Sequence, residues 1–357
     1  MSARFSRRAP LRALAFAVAV GAALTWSACA RAPRYPLSGH YDGERFVNPG
    51  HETDKSLGDL LRWQWTRTRG PWPERVENVG RARLLAPGDA DPIAATWIGH
   101  ATALVQIGPA NVLTDPIFSE RCSPVSWAGP KRVRAPGLAY DALPPIHAVV
   151  VSHGHYDHLD LPSLRELHRR FRPLVVVPLG HGDLLRAEGL DRVVELDWWG
   201  SVRVPEVGLT IHLAPSLHWS ARGLFDRREA LWGSFFLQGD SGYSAYCAGD
   251  TGYASHFAEA RSRLGAPDLA LLPIGAYSPR WFMSGHHLDP ADAVQAFLDL
   301  GARAALPLHY ATFPMADDGF DEPLRDLAAA KAARGVGEAF APVEVGATLR
   351  LPPRAAP

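Results

Sequence analysis

The stretch Ala148-Val149-Val150-Val151-Ser152-His153-Gly154-His155-Tyr156-Asp157-His158-Leu159-Asp160 decides the architecture. Its first half is a short, continuous apolar run of β-branched residues, the pattern of a strand buried on both faces. Its second half places ligand-type side chains within six residues, directly after that strand. The carboxyl end of a strand is where open sheets present the loops that bind things. In a tight turn entering a helix, His153 and His155 converge on one ion while Asp157 and His158 converge on a second. Imidazole and carboxylate without thiolate suit zinc or a similar divalent ion in a catalytic site rather than a closed structural one.

Two ions need more ligands than one loop holds, and other strand ends supply them. His218 follows the run Ile211 to Pro215, and His309 ends the run Ala305 to Leu308. Asp250 stands in Ala248-Gly249-Asp250-Thr251-Gly252, where glycine lets the backbone turn sharply and expose a carboxylate. Taken singly, each is more often a core or capping residue. Taken with the loop, they complete seven ligand positions.

Further strands are expected at Thr96 to Ile98, Ala103 to Ile107, Asn111 to Thr114, Leu174 to Val177, Val193 to Leu196, Thr210 to Leu213, Leu269 to Leu272 and Ala305 to Leu308, with a hairpin pairing Phe235 to Leu237 with Tyr243 to Cys247. Helical periodicity falls at Pro162 to Phe171, His181 to Ala187, Ala291 to Leu300 and Leu324 to Ala333. The third opens on Asp289 as cap and Pro290 in the first turn. Mixed strands and helices without strict alternation predict a layered α/β fold with mixed sheets rather than a parallel barrel.

The 357 residues carry 37 basic and 37 acidic side chains. That balance, with 47% hydrophobic residues, excludes a disordered charged tail protein. The first 28 residues hold Arg4, Arg7, Arg8 and Arg12 and no acid, so the remainder is slightly acidic and shows no basic footprint for nucleic acid. Three cysteines make no disulfide scaffold.

Residues 1–29 are expected to be an export signal: an arginine-rich start, an apolar run from Ala13 to Leu24 too short to span a bilayer, and small residues after it. Ser6 to Arg12 is similar to a twin-arginine motif, although the general secretory route is equally open. Ser27-Ala28-Cys29 resembles a lipobox, which would anchor a periplasmic protein through Cys29; cleavage after Ala30 and an uncleaved leader are the alternatives. Residues 30–90, rich in Pro, Gly and Arg, are expected to wrap a main domain spanning 91–357. Within them Leu57, Leu60, Leu61 and Trp65 share one face of a short helix. That face is expected to pack on the main domain or a dimer partner in preference to a membrane.

Several blocks go beyond the metal loop: Trp97-Ile98-Gly99-His100-Ala101-Thr102, Leu113-Thr114-Asp115-Pro116, Gly129-Pro130-Lys131-Arg132, Glu195-Leu196-Asp197-Trp198-Trp199, Leu231-Trp232-Gly233-Ser234, Pro273-Ile274-Gly275-Ala276-Tyr277 and Pro279-Arg280-Trp281-Phe282-Met283. Over residues 93 to 315 they make the chain resemble the metallo-β-lactamase superfamily, and more narrowly the N-acyl-phosphatidylethanolamine-hydrolysing phospholipase D family. The resemblance implies an αββα four-layer sandwich with two mixed β-sheets and the metals at one edge. It implies two Zn2+ per chain, one on His153, His155 and His218, the other on Asp157, His158 and His309, with Asp250 bridging. It further implies substrate contacts from Tyr156 and His287.

On this reading paired ions lower the pKa of a water that attacks a phosphodiester at a membrane surface, giving phosphatidic acid and N-acylethanolamine. Asp157 either orients that water or serves as a ligand only. Asp115 and His100 are expected to orient ligand imidazoles. Trp198, Trp199, Trp219, Trp281 and Phe282 are candidates for an acyl-chain groove, with core packing the commoner fate of any one. Rival readings are a lactonase or another phosphodiesterase on the same metals, or a non-catalytic binding protein; a nuclease fits poorly with the acidic mature chain. Cys122 and Cys247 are expected as isolated buried thiols. The oligomeric state is open, a homodimer included.

Overall fold

The computed structural model describes residues 33–355, so the expected export signal and Cys29 lie outside the described residues. Two compact units are present, one up to Glu44 and one from Arg45 onward. In the first, Ser38 and Tyr41 bridge antiparallel, and Tyr35 packs edge-on against Tyr41.

The second unit holds two sheets. The first contains β1 (Ile93–Gly99), β2 (Thr102–Ile107), β3 (Ala110–Thr114), β4 (Ala148–Val150), β5 (Leu174–Pro178) and β6 (Val193–Leu196), joined at its edge by β13 (Thr348–Leu351), in the order β13-β1-β2-β3-β4-β5-β6. The second contains β7 (Ser201–Val204), β8 (Leu209–Ala214), β9 (Ser234–Gly239), β10 (Ser244–Cys247), β11 (Leu269–Pro273) and β12 (Ala304–Leu308), in the order β12-β11-β10-β9-β8-β7. Strands such as β1, β2 and β3 are buried at every position. A sheet covered on both faces requires this and accounts for their near-continuous apolar sequence.

Helices α2 (Leu161–Phe171) and α3 (Gly182–Ala187) cover the first sheet: Leu164, Leu167 and Leu185 share a core with Leu113, Val149 and Val175. Among the remaining helices, α4 (His256–Leu264) and α6 (Pro290–Leu300) lie by the second sheet, and α7 (Glu322–Arg334) packs on α6. Helix α6 begins as its sequence demands, with an Asp289–Asp292 capping box and Pro290 in the first turn, and ends at the left-handed Gly301. The layers are therefore α, β, β, α, as expected.

The pairings fix where functional residues emerge. Because β1 and β3 are each antiparallel to β2, and β3 is parallel to β4, those three strands run one way. In the second sheet β8 and β10 are each antiparallel to β9, while β10, β11 and β12 are parallel, so these four also share a direction. The segments leaving their carboxyl ends begin with or contain His100, Asp115 and the histidine loop from one sheet, and His218, Asp250, His287 and His309 from the other.

Helix α1 (Leu57–Thr66) forms where expected, opened by a Ser56–Asp59 capping box. Its packing corrects the expectation that this face lies on the main domain. The buried residue is Trp63, whereas Leu57, Leu61 and Trp65 point away from the chain's own body. Trp63 wins that place because it stacks on Phe282 at 4.8 Å and its indole N–H donates to Asp317. Strands β7 and β13 and helices α4 and α5 (Arg280–Met283) are additional to the sequence reading. Among the described residues no helix is long and apolar enough to cross a membrane.

Candidate metal centre

The structure brings all seven expected ligands to one place. One group comprises His153, His155 and His218; a second comprises His100, Asp157, His158 and His309; Asp250 groups with His153 and His158, and with His287 and His309. In the first group His153 Nε2 lies 2.8 Å and His218 Nε2 3.3 Å from His155 Nδ1. In the second, His158 Nε2 is 3.3 Å from Asp157 Oδ2 and 3.2 Å from Asp250 Oδ2. His309 Nε2 is 3.3 Å from Asp157 Oδ2 and 3.2 Å from Asp250 Oδ1.

These separations suit a shared ion. A four-coordinate ion with bonds of about 2.0–2.1 Å spaces its ligand atoms about 3.3 Å apart. His158 Nε2 and Asp250 Oδ1, although this close to their neighbours, have no hydrogen-bond partner. Buried polar atoms left in that state are rare unless something further binds them. The donor set of imidazoles and carboxylates therefore fits bound metal.

Neighbouring atoms fix which nitrogen of each ring faces inward. The His218 Nδ1–H donates to the carbonyl of His286 at 2.9 Å, leaving Nε2 as the lone-pair nitrogen. Asp115 accepts from the Ser152 backbone N–H at 2.6 Å and from the Ser152 hydroxyl at 2.8 Å, and receives His158 Nδ1 at 2.8 Å. With its proton on Asp115, the Ser152 hydroxyl accepts from His153 Nδ1 at 2.9 Å. Asp115 thus sits against the outer nitrogen of a candidate ligand imidazole. His100 does something different: its Nε2 sits 2.9 Å from Asp157 Oδ2, so it holds a carboxylate.

Turning this tightly costs backbone freedom. His100, Asp115 and His309 all hold left-handed backbone, at φ 53, 38 and 64°. Gly249, before Asp250, has φ 61°, and a Cβ there would stand 2.4 Å from the Ser152 Cβ.

Electrostatics divide the centre. Burial, reinforced by neighbouring histidines, pushes His153 and His218 well below the ordinary imidazole value. Burial takes His155 and His287 down to about 4 each. Burial acts on His158 too, but Asp250, Asp157 and Asp115 overcome it and hold its pKa well above the usual value; His309 is raised in the same way by Asp250 and Asp157. Both carboxylates are held ionised against burial, chiefly by His158.

The centre opens into a cavity of about 260 Å³ lined by Tyr156 and His287 together with Cys122, Met283, Met315, Ala276 and Ala316. The Tyr156 hydroxyl donates to the Arg222 carbonyl, so this residue offers the pocket its ring. His287 Nδ1 stands 3.7 Å from Asp250 Oδ2 and lacks a hydrogen-bond partner. Of the aromatic groove candidates, Trp219 packs edge-on against His155 at 4.3 Å, while Trp198 donates to the Trp232 carbonyl and Trp199 lies under Arg263. None of the five lines the cavity, whose apolar wall is methionine and alanine. Cys122 and Cys247 are both buried free thiols, as expected.

Residues 110–310 match the family model described as the beta-lactamase superfamily domain. The chain belongs to the metallo-β-lactamase superfamily. Within the superfamily, an uncharacterized protein of Mycobacterium tuberculosis (strain ATCC 25618 / H37Rv) is 42% identical over 276 residues, covering 76% of this chain and 71% of its own. The N-acyl-phosphatidylethanolamine-hydrolyzing phospholipase D 1 of Caenorhabditis elegans is 39% identical over 231 residues, 62% of this chain and 64% of that protein. The crystal structure of a possible metal-dependent hydrolase from Veillonella parvula DSM 2008 shares the fold, with a TM-score of 0.60 and 18% identity over 73% of this chain and 100% of that one. The chain is a metal-dependent hydrolase of this superfamily.

Sequence reasoning passed over Ser152 and His286, which set ring orientation. Ser152 carries no ligand signature, and His286 acts through its carbonyl, which every residue has.

Proposed function

We propose that this hydrolase is a dinuclear zinc phosphodiesterase of phospholipase D type, cleaving N-acyl-phosphatidylethanolamine-type phospholipids to phosphatidic acid and N-acylethanolamine at a membrane surface. The observation that carries the reading is the pair of donor sets sharing Asp250 at the floor of a methionine-walled cavity. The likeness to the C. elegans enzyme supports the choice of substrate.

His153, His155 and His218 would hold one ion and Asp157, His158 and His309 the other, with Asp250 serving both. When bound, such a pair supplies Lewis acidity to the phosphoryl group and lowers the pKa of an attacking water. The protein's part is to keep the donors in place. Asp115, Ser152 and the His286 carbonyl aim the imidazole lone pairs, and His100 fixes Asp157. Met283 and Met315, unbranched and adaptable, exclude water and give acyl chains a wall that can repack. His287, neutral at pH 7, holds its N–H as a hydrogen-bond donor beside the reacting phosphate.

The test is turnover of N-acyl-phosphatidylethanolamine in mixed micelles by metal-quantified protein, beside plain phosphatidylethanolamine, a lactone and a nucleotide diester, with Asp250→Ala as control. Release of N-acylethanolamine, lost in the control, is expected. Protein carrying two metal equivalents that cleaves only the lactone or the nucleotide overturns the substrate assignment.

A further inference from the structure

Helix α1 turns Leu57, Leu61 and Trp65 to solvent, Trp65 being 92% exposed. Two other segments do the same: Trp127 is 79% exposed, and Leu224 and Phe225 are 91% and 85% exposed. Single exposed apolar residues need no explanation. These six belong to three segments that are tied together around one opening.

The ties can be followed residue by residue. Asp54, just before α1, pairs with Arg227 at 3.3 Å and Arg228 at 3.0 Å, which follow Leu224 and Phe225. Arg222, at the other end of that segment, stacks over the Tyr156 ring at 4.1 Å. The same two residues line a cavity of about 430 Å³ with Ser123, Pro124 and Ser126, next to Trp127. Cys122, in that third segment, has its Sγ 3.5 Å from Met315 Sδ, and Met315 packs on the cluster containing Trp63 of α1. The circuit closes, and Tyr156, Cys122 and Met315 also line the metal cavity.

Charge identifies what such a ring would meet. Residues 52–69, 119–131 and 220–230 hold nine basic and six acidic side chains in a chain whose net charge is zero. Arg62, between Leu61 and Trp65, lies 4.5 Å over the Trp281 ring. Apolar tips alternating with guanidinium groups would trap desolvated charge in a flat protein interface. A bilayer surface takes both, since tips enter the acyl boundary while arginines stay among anionic head groups.

We infer that these three segments form a collar that docks on an anionic lipid bilayer and sets the mouth of the metal cavity against the lipid. The inference rests on the phospholipid reading for its purpose; the collar's location follows from the contacts alone.

The experiment uses the full-length, metal-loaded protein and vesicles of phosphatidylcholine and phosphatidylglycerol, with brominated phosphatidylcholine as quencher of tryptophan fluorescence. Trp65→Phe and Trp127→Phe should each remove part of the quenching. The pairs Leu61→Ser with Trp65→Ser and Leu224→Ser with Phe225→Ser should each weaken vesicle binding about tenfold or more, roughly the effect of withholding one large side chain from an apolar phase. The ratio of turnover on vesicles to turnover on a soluble short-chain diester should fall with them. Vesicle binding unchanged by both pairs, or quenching that vanishes with Trp26→Phe alone, overturns the collar. So does a wild-type dimer that the Leu61 and Trp65 changes convert to monomer, which would assign the face to a second copy. If binding depends on the tips but no phosphodiester lipid is cleaved, the collar stands and the substrate reading falls; cleavage in micelles with tip-independent binding gives the reverse.

Discussion

His153, His155 and His218 stand among one another, with the nearest shared carboxylate 3.9 Å from His218 Nε2, whereas His158 and His309 stand 3.2–3.3 Å from Asp157 and Asp250. Four of these rings are buried and His155 is half-buried, and burial lowers the pKa of all five. Desolvation therefore cannot separate them, and the carboxylates do: the first three are driven toward the neutral form and the other two toward the charged form. One half of the centre is ready to donate lone pairs at neutral pH. The other half is held together, before any ion arrives, by its own acid–base pairs.

Removing Asp250 should erase the distinction, because its two oxygens face both halves. Asp250→Ala is expected to leave less than one metal equivalent per chain and to lower kcat/KM by about 10³-fold or more, measured by elemental analysis and initial rates. Retention of two equivalents would show that the halves hold metal without their shared ligand. Next in size, His218→Ala and His309→Ala should each cut the metal content to about one equivalent. A variant that loses both ions would mean that the halves fill only together.

The proton inventory sharpens the same contrast. Because Asp250, Asp157 and Asp115 raise His158, and Asp250 and Asp157 raise His309, these two rings hold their protons more tightly than the other three and release them on loading. Affinity of that half should rise as pH increases through and above the ordinary imidazole range and fall as pH drops. The other half, already neutral, should bind with little proton release near pH 7. Calorimetric titration in two buffers of different ionisation enthalpy measures this, and equal proton release in the wild type and His309→Ala would sink the assignment. The smallest expected effects are those of Asp115→Asn and His100→Gln, about 10- to 100-fold in affinity. His100→Gln should act on the half containing Asp157 and His158, whereas Asp115→Asn should reach both His158 and, through Ser152, His153. An equal loss at the three-histidine half in His100→Gln would show that its contact supports the whole edge.

Much of this was legible in the sequence because ligands at the ends of short apolar runs declare both strand and site. His153 to His158 begin three residues past β4, and Asp250 and His309 lie three residues and one residue past β10 and β12. Strand β13 was not legible, since four residues of Thr-Leu-Arg-Leu acquire their register only from β1. Helix α5 is four residues long and leaves too little periodicity to detect. The apolar stripe on α1 was legible as a stripe, yet the side that packs is chosen by Phe282 and Asp317, more than 200 residues downstream.

The left-handed backbone at His100, Asp115 and His309 carries a consequence for engineering. Each residue occupies a conformation that glycine or asparagine adopts more cheaply, at a cost of order 1–3 kcal/mol. A library screened for heat resistance alone would find easy gains at these three positions and would lose the catalyst in taking them. Screening for metal retention during heating would keep all three, and would push stabilising changes into the strands behind them.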